Sequence, residues 1–539
     1  MFYFRKQSLL LLIVFFLTVF LSWPIISLII LSFGDSKDLW FHLYDTVLIK
    51  YISNTLILMI GTVIGSLAFG LSTAWIVTNF EFKLKNVCDF ILILPAACPA
   101  YLVAYAYTDF FEYAGPIQKY LREIGNWNNP NEYYFPEIRS LGGAIFVLSS
   151  VLYPYVYILC RTSFRQTPQS LKEINKIYGY SDFWKLSLPL ARPAIVVGIA
   201  LVCMEVVSDF GTVEYFSIET LTLGIFNVWI GMNNITAASQ IAVFTFLFII
   251  GLLVIEKRYR SSKRYNDTTY KQTFIVPSKT SFLKSILFSI VCFFPFFCGF
   301  LLPIIILIKN VLNSRLSSTI FPVWEVLFNT IFISICGAVL IMVISTIIAC
   351  TTDIKKNKIL NLFANFSASG YAFPGTILAI GVLATAGFFD KITNKLSIVV
   401  TSSESNFFLS GTILVLLIAY LIRFNAIGFG SVVSGLSKTS PNIFSASRTL
   451  GNSINRTITK ITIPLITKSI VAGGILCFVD IMKELPMTLL LRPFNFETLA
   501  TYTYQYAHSE LMSEASLSAL LIIVVGLIPI IFLNNYLRN

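Results

Sequence analysis

Charge is what this sequence has least of. Only 12% of its 539 residues are Asp, Glu, Lys or Arg, about half the share found in an average soluble domain. A chain so poor in charge cannot coat a water-exposed surface, which excludes disordered, fibrous and small secreted classes and argues against a soluble enzyme. Histidine is rarer still. His42 and His508 are the only two, too few for a histidine metal cage. Nine cysteines occur, Cys88, Cys98, Cys160, Cys203, Cys292, Cys298, Cys336, Cys350 and Cys477, all in or beside apolar stretches and none in a CxxC pair. They read as small packing residues, with no disulfide framework, and no stable metal site is expected. Also missing are a G-x4-G-K-[ST] loop, an HExxH helix and a nucleophile elbow. Without a phosphate-binding loop the chain cannot hydrolyse ATP itself, no catalytic residues are assigned, and the protein is read as a non-enzyme.

What is present is apolar length. Hydrophobic residues make up 56% of the chain and the mean hydropathy is +0.78. A helix needs roughly 20 apolar residues to cross a bilayer core of about 30 Å. Twelve stretches qualify: 8–33, 54–79, 87–109, 141–160, 194–215, 237–256, 285–308, 329–351, 361–388, 406–424, 469–490 and 515–535. The first follows Arg5-Lys6 and is too long for a signal peptide, so it reads as an uncleaved span. The predicted fold class is therefore all-α, a polytopic membrane protein. With both termini in the cytoplasm, and with Arg423 counted in the inner loop it borders, 28 of the 39 basic residues fall on the inner side. The net charge of +12 is thus a topology signal, and gives no reason to expect nucleic-acid binding. The densest basic cluster, Lys257, Arg258, Arg260, Lys263 and Arg264, reads as a stop-transfer flank, with contact to anionic lipid as a second role.

The chain repeats itself after 275 residues. Asn54-Thr55 falls on Asn329-Thr330, Pro99 on Pro374, Pro189 on Pro464, Gly198 on Gly473, Glu205 on Asp480 and Asp209 on Glu484. Each copy holds six spans, an even number, so both enter the membrane the same way round. The expected organisation is two parallel six-helix halves, 1–256 and 285–539, joined by a basic cytoplasmic linker at 257–284, with a path for substrate where the halves meet.

Four of the repeated residues are acidic. Glu205 lies eleven residues past Ala194 and Asp480 eleven past Ser469, which at 1.5 Å per residue is about 17 Å deep. Asp209 and Glu484 follow at i+4, expected on the same helix face one turn further out. Intramembrane carboxylates are costly and face a wet cavity or a protein interior. They read as substrate-path residues for a hard cation, with Tyr101 and Tyr105 as further oxygen donors. Lys483, close to both Asp480 and Glu484, leaves a structural ion-pair cluster open as the other reading.

The two matched inner loops carry the most specific signal. One reads Glu173-Ile-Asn-Lys-Ile-Tyr-Gly179 and then Leu188-Pro189; the other reads Ser445-Ala-Ser-Arg-Thr-Leu-Gly451 and then Ile461-Thr-Ile463-Pro464. Both resemble the E-A-A-x3-G-x9-I-x-L-P loop of permease subunits of binding-protein-dependent ABC importers. The second has Ser445 where that pattern has Glu, and the first has ten residues from Gly to Pro where the pattern has thirteen. The stretches Ala100–Asp109, Leu152–Tyr157, Met204–Phe216, Lys483–Pro486 and Leu491–Leu499 are similar to the ferric-iron branch of these permeases.

The resemblance implies a multi-pass permease in a bacterial cytoplasmic (inner) membrane, importing ferric iron delivered by a periplasmic substrate-binding protein. Two copies of an ABC ATPase subunit would dock on Glu173, Gly179 and Pro189 and on Ser445, Gly451 and Pro464. The chain itself would bind no cofactor, ATP and Mg residing on the ATPase, and its other partner would be membrane lipid. Thiamine or another small solute, or an ion-coupled secondary mechanism, are the alternatives.

Overall fold

The computed structural model describes residues 2–36, 39–261, 277–313, 320–355, 358–401 and 409–538. Strand structure among them is limited to Phe80–Glu81 and Ser278–Lys279, paired in parallel. Most of the remainder is helical, as expected for backbone groups that have no water to bond with. Among the described residues ten helices are long and apolar enough to cross a membrane, and a bent pair, Lys85–Ala97 with Ala100–Gly125, supplies an eleventh. The expected span 237–256 lies in the helix Ile235–Ser261, whose apolar part reaches Gly251. Most of the linker, including Lys263 and Arg264 of the basic cluster, lies outside the described residues.

The repeat is visible in the packing. In each half the second, fourth and fifth spans form a three-helix unit: Ile49–Asn79, Leu141–Arg165 and Leu188–Ser208 in the first, Ile320–Lys355, Ile413–Ser437 and Ile463–Met482 in the second. Small residues at matched places let the helices approach. A Cβ on Gly198 would stand 3.2 Å from the Val156 Cα, and one on Gly473 would stand 2.8 Å from the Ser431 Cβ. Val156 and Ser431 are themselves 275 residues apart. The Thr55 hydroxyl accepts from the Leu221 amide at 3.0 Å, and the Thr330 hydroxyl accepts from the Leu499 amide at 2.8 Å. Each bond ties the opening of a second span to a short helix after the fifth.

The two packed cores do not coincide with the two sequence halves. One core joins the second to fifth spans with the seventh and twelfth; the other joins the eighth to eleventh with the first and sixth. The exchange is bonded as well as packed. Thr385 donates to the Ser27 hydroxyl at 3.1 Å, Asn310 to Asp109 at 2.8 Å, and the Tyr107 hydroxyl to the Cys298 carbonyl.

Four spans expected to be continuous are broken. The third span of the first half runs Lys85–Ile91, tightens at Leu94–Ala97, and restarts at Ala100 after a 92° bend. Its counterpart runs Lys358–Ser367, tightens at Ala368–Ala372 and restarts at Gly375. Pro99 and Pro374 stand at the restarts, where a missing N–H costs nothing and φ is already set. The fifth spans end at Ser208 and Met482 and resume as Gly211–Tyr215 and Pro486–Leu491. Asp209 and Glu484 therefore do not continue the helix face of Glu205 and Asp480. They sit in the gap.

Candidate functional site

All four breaks converge on one cavity of about 130 Å³ between the two cores. One side supplies Tyr101, Tyr155, Glu205 and Asp209; the other supplies Tyr371, Arg423, Asp480, Lys483 and Glu484. Repeat-related residues face each other because the breaks fall at the same places in both copies. Discontinuous helices at the interface of two repeats are the usual way for a membrane protein to place polar groups near the midplane.

The carboxylates are held in two ways. Asp209 accepts from the Thr212 hydroxyl at 3.1 Å and the Val213 amide at 3.2 Å. Glu484 accepts from the Met487 amide at 3.1 Å and the Thr488 amide at 3.5 Å. Each thus satisfies the free amides that open the short helix after the gap. Glu484 also faces Arg423 at 3.4 Å. Asp480 pairs with Lys483 at 2.8 Å. Glu205 receives the Tyr371 hydroxyl at 2.6 Å. That bond crosses between the halves, as does the bond at 3.5 Å from the Tyr101 hydroxyl to the Lys483 carbonyl. The cavity wall therefore holds four acidic groups and two cations, and the halves are latched across it by tyrosine hydroxyls. Among the described residues no group of three or more His, Cys, Asp or Glu is arranged to hold a metal ion.

Five of the six residues expected along the path, Glu205, Asp209, Asp480, Glu484 and Tyr101, line the cavity. Tyr105 does not. It is buried behind Tyr101, with its ring 5.6 Å from that of Tyr101 and 4.4 Å from that of Tyr215. Four residues along a helix are a full turn plus about 40°, and here that offset turns position 105 inward to the core. Arg423, counted with the inner loop from sequence, lines the cavity instead because its helix runs on to Ser437. Arg423, Tyr371 and the wall position of Tyr155 were not singled out. A cation beside an apolar run was the available signal for Arg423. Tyr371 had none, since its repeat partner is Ala96.

At one end of the molecule the two matched loops project. The first is a helix, Gln169–Ile177, followed by Gly179 at φ +68°; the second is a helix, Pro441–Thr449, followed by Gly451 at φ +84°. Positive φ explains both glycines. Glu173 and Ser445 are exposed at corresponding places, and Ile177, Tyr178 and Leu450 present apolar surface beside them. Pro189 and Pro464 each stand second in the fifth-span helices, where proline is favoured. The longer second loop contains an additional turn, Ile454–Thr457. The anchoring differs too. Buried Lys172 bonds the Asn79 side chain in the first loop, whereas Ser447 and Thr457 share a bond of 2.9 Å in the second.

Comparison with known proteins bears on this arrangement. Residues 66–261 match the family described as binding-protein-dependent transport system inner membrane component. The Fe(3+)-transport system permease protein FbpB 2 of Haemophilus influenzae is 23% identical over 500 residues, 90% of each chain. The ferric transport system permease protein FbpB of Actinobacillus pleuropneumoniae is 21% identical over 98% of this chain and 77% of its own. The molybdate/tungstate transport system permease protein WtpB of Pyrococcus abyssi is 22% identical over 44% of this chain but 90% of its own, as a relative of half this length would be.

Proposed function

Residues 66–261 match the binding-protein-dependent transport family, and from that likeness we propose that the chain is the fused membrane subunit of an ATP-driven importer of ferric iron. The observation that carries this reading is the central cavity. It is built by both repeats at four helix breaks, it carries carboxylates from both sides, and it is coupled through the fifth spans to two exposed helix–glycine–helix loops. The relatives similar over most of this chain are named for ferric transport.

In the mechanism, a periplasmic binding protein delivers iron at the outer face. Two ATPase subunits grip the loops at Glu173, Gly179 and Pro189 and at Ser445, Gly451 and Pro464. ATP draws the ATPases together. The loops move with them, and the fifth spans carry that motion to Asp209 and Glu484, which sit in the breaks at their far ends. Rocking of the halves separates Tyr371 from Glu205 and Tyr101 from the Lys483 carbonyl. Glu205, freed of its hydroxyl partner, then faces the path with a carboxylate available to a hard cation. Hydrolysis restores the latched state. Charge is conserved along the path because Lys483 and Arg423 keep Asp480 and Glu484 neutralised while the cargo passes.

Oxyanion import is a second reading, favoured by the two cations in the cavity wall and by the half-length relative named for molybdate and tungstate. Both cations, however, face carboxylates at 2.8 and 3.4 Å. The test is uptake by proteoliposomes containing this chain and its ATPase, supplied in turn with ferric iron on its binding protein, thiamine and molybdate. Accumulation of iron alone supports the proposal. Accumulation of thiamine or molybdate without iron reassigns the substrate and keeps the importer.

A further inference from the structure

A second cavity lies away from the path, on the outside of the bundle. It is a groove of about 860 Å³ between the third span of the first half and the seventh span, lined by Leu84, Val87 and Ile91 on one side and Ile286, Ile290 and Phe293 on the other. Several of these side chains are strongly exposed, Val87 by 54% and Ile290 by 59%. The groove is not uniform along its length. It begins at Lys83 and Phe282 and ends at Phe296 and Phe297. Fourteen residues of helix separate Phe282 from Phe296, about 21 Å, slightly more than the ~15 Å of hydrocarbon in one leaflet.

All the charge sits at one end. Lys83, Lys279 and Lys284 are exposed there, and Lys85 stands 3.5 Å from Glu81. Four lysines thus face one glutamate. The small parallel pairing of Phe80–Glu81 with Ser278–Lys279 brings these residues together, and the Lys83 amide bonded to the Ser285 hydroxyl at 3.3 Å fixes the loop against the seventh span. The same end of the bundle carries the basic inner loops.

We propose that this groove binds one phospholipid with an anionic headgroup from the cytoplasmic leaflet. Its acyl chain lies between the two helices, and its phosphate rests among Lys83, Lys279 and Lys284. Charge complementarity selects this occupant. A neutral lipid or a hydrophobic partner helix would gain from the groove but not from the lysines, and a free phosphate would gain from the lysines but not from the groove. Because the third span belongs to one half and the seventh to the other, the lipid spans a seam of the exchanged packing and holds it shut.

The test uses the purified full-length chain with its ATPase, titrated in detergent with phosphatidylglycerol or phosphatidylcholine and read by native mass spectrometry. Wild type should retain phosphatidylglycerol preferentially. Lys83→Glu with Lys284→Glu should reduce that preference about ten-fold or more and leave phosphatidylcholine retention unchanged. Val87→Trp with Ile290→Trp should lower retention of both lipids, and glycerol phosphate should not compete. A photo-crosslinker at Val87 should capture lipid. Equal retention of the two lipids by wild type, an unaltered preference in the charge-reversed variant, or capture of a protein at Val87 would overturn the proposal.

Discussion

Glu205 is hydrogen-bonded to a neutral partner, the Tyr371 hydroxyl, whereas Asp480 has an ammonium and Asp209 and Glu484 each hold a helix terminus. The four acidic residues looked equivalent in sequence, and the structure separates them. Glu205→Gln should keep the Tyr371 contact, preserve assembly and abolish ferric uptake, measured as radio-iron in proteoliposomes. Asp209→Asn and Glu484→Gln should instead lower the amount of folded protein, because they weaken charge-assisted caps worth about 1.5–3 kcal/mol. The Lys483–Asp480 pair behaves as a unit. Removing Lys483 alone leaves a largely buried carboxylate unpaired, a cost of about 3–5 kcal/mol. Lys483→Met should therefore be less stable to heat in detergent than the double variant Lys483→Met with Asp480→Asn. A double variant no more stable than the single would show that the pair is not coupled.

At the scale of elements, the existence of the spans was legible and their continuity was not. Long apolar runs announce a crossing helix whatever happens in the middle of it, so 87–109 and 194–215 looked like single cylinders. The breaks depend on Pro99, Pro374 and Pro486 and on tertiary partners for the freed amides, which composition does not report. Asp209 and Glu484 lie in gaps for the same reason. The inner loops were the opposite case: Gly179 and Gly451 mark left-handed turns that the backbone adopts at φ +68° and +84°. A valine at either position is strained by about 1–2 kcal/mol, enough to alter the loop without unfolding a span. Gly179→Val and Gly451→Val should each reduce co-purification of the ATPase while membrane insertion, read by a C-terminal tag, stays normal. Full ATPase retention in the double variant would remove these loops from the docking role.

At the scale of the whole molecule, the 275-residue repeat predicts two halves and a central interface, and matched pairs such as Gly198 with Gly473 and Thr55 with Thr330 make equivalent contacts. The exchange of first and last spans was hidden, because apolar surfaces carry no address. Each half draws two spans from the other, so neither has a complete core of its own. Residues 1–261 or 262–539 expressed alone should be degraded in the membrane, and co-expression should restore both, read by immunoblot of the membrane fraction. Either half persisting alone at wild-type level would contradict the exchanged packing. The orientation is open to a similar check. A reporter fused after Arg538 should read cytoplasmic and one near Asn128 periplasmic, and the reverse would invert the bundle.

In the proposed mechanism the cavity between the cores is a path opened alternately to the two sides by a docked ATPase. Ser208 lines that cavity at the position where the other repeat has Lys483. With the nine native cysteines replaced and Ser208→Cys introduced, a membrane-impermeant thiol reagent can be applied to oriented vesicles from either face. Labelling is expected from the cytoplasmic face in the nucleotide-free complex and from the periplasmic face once the ATPase is trapped with ATP. Labelling from one face regardless of nucleotide, or from neither, would contradict it.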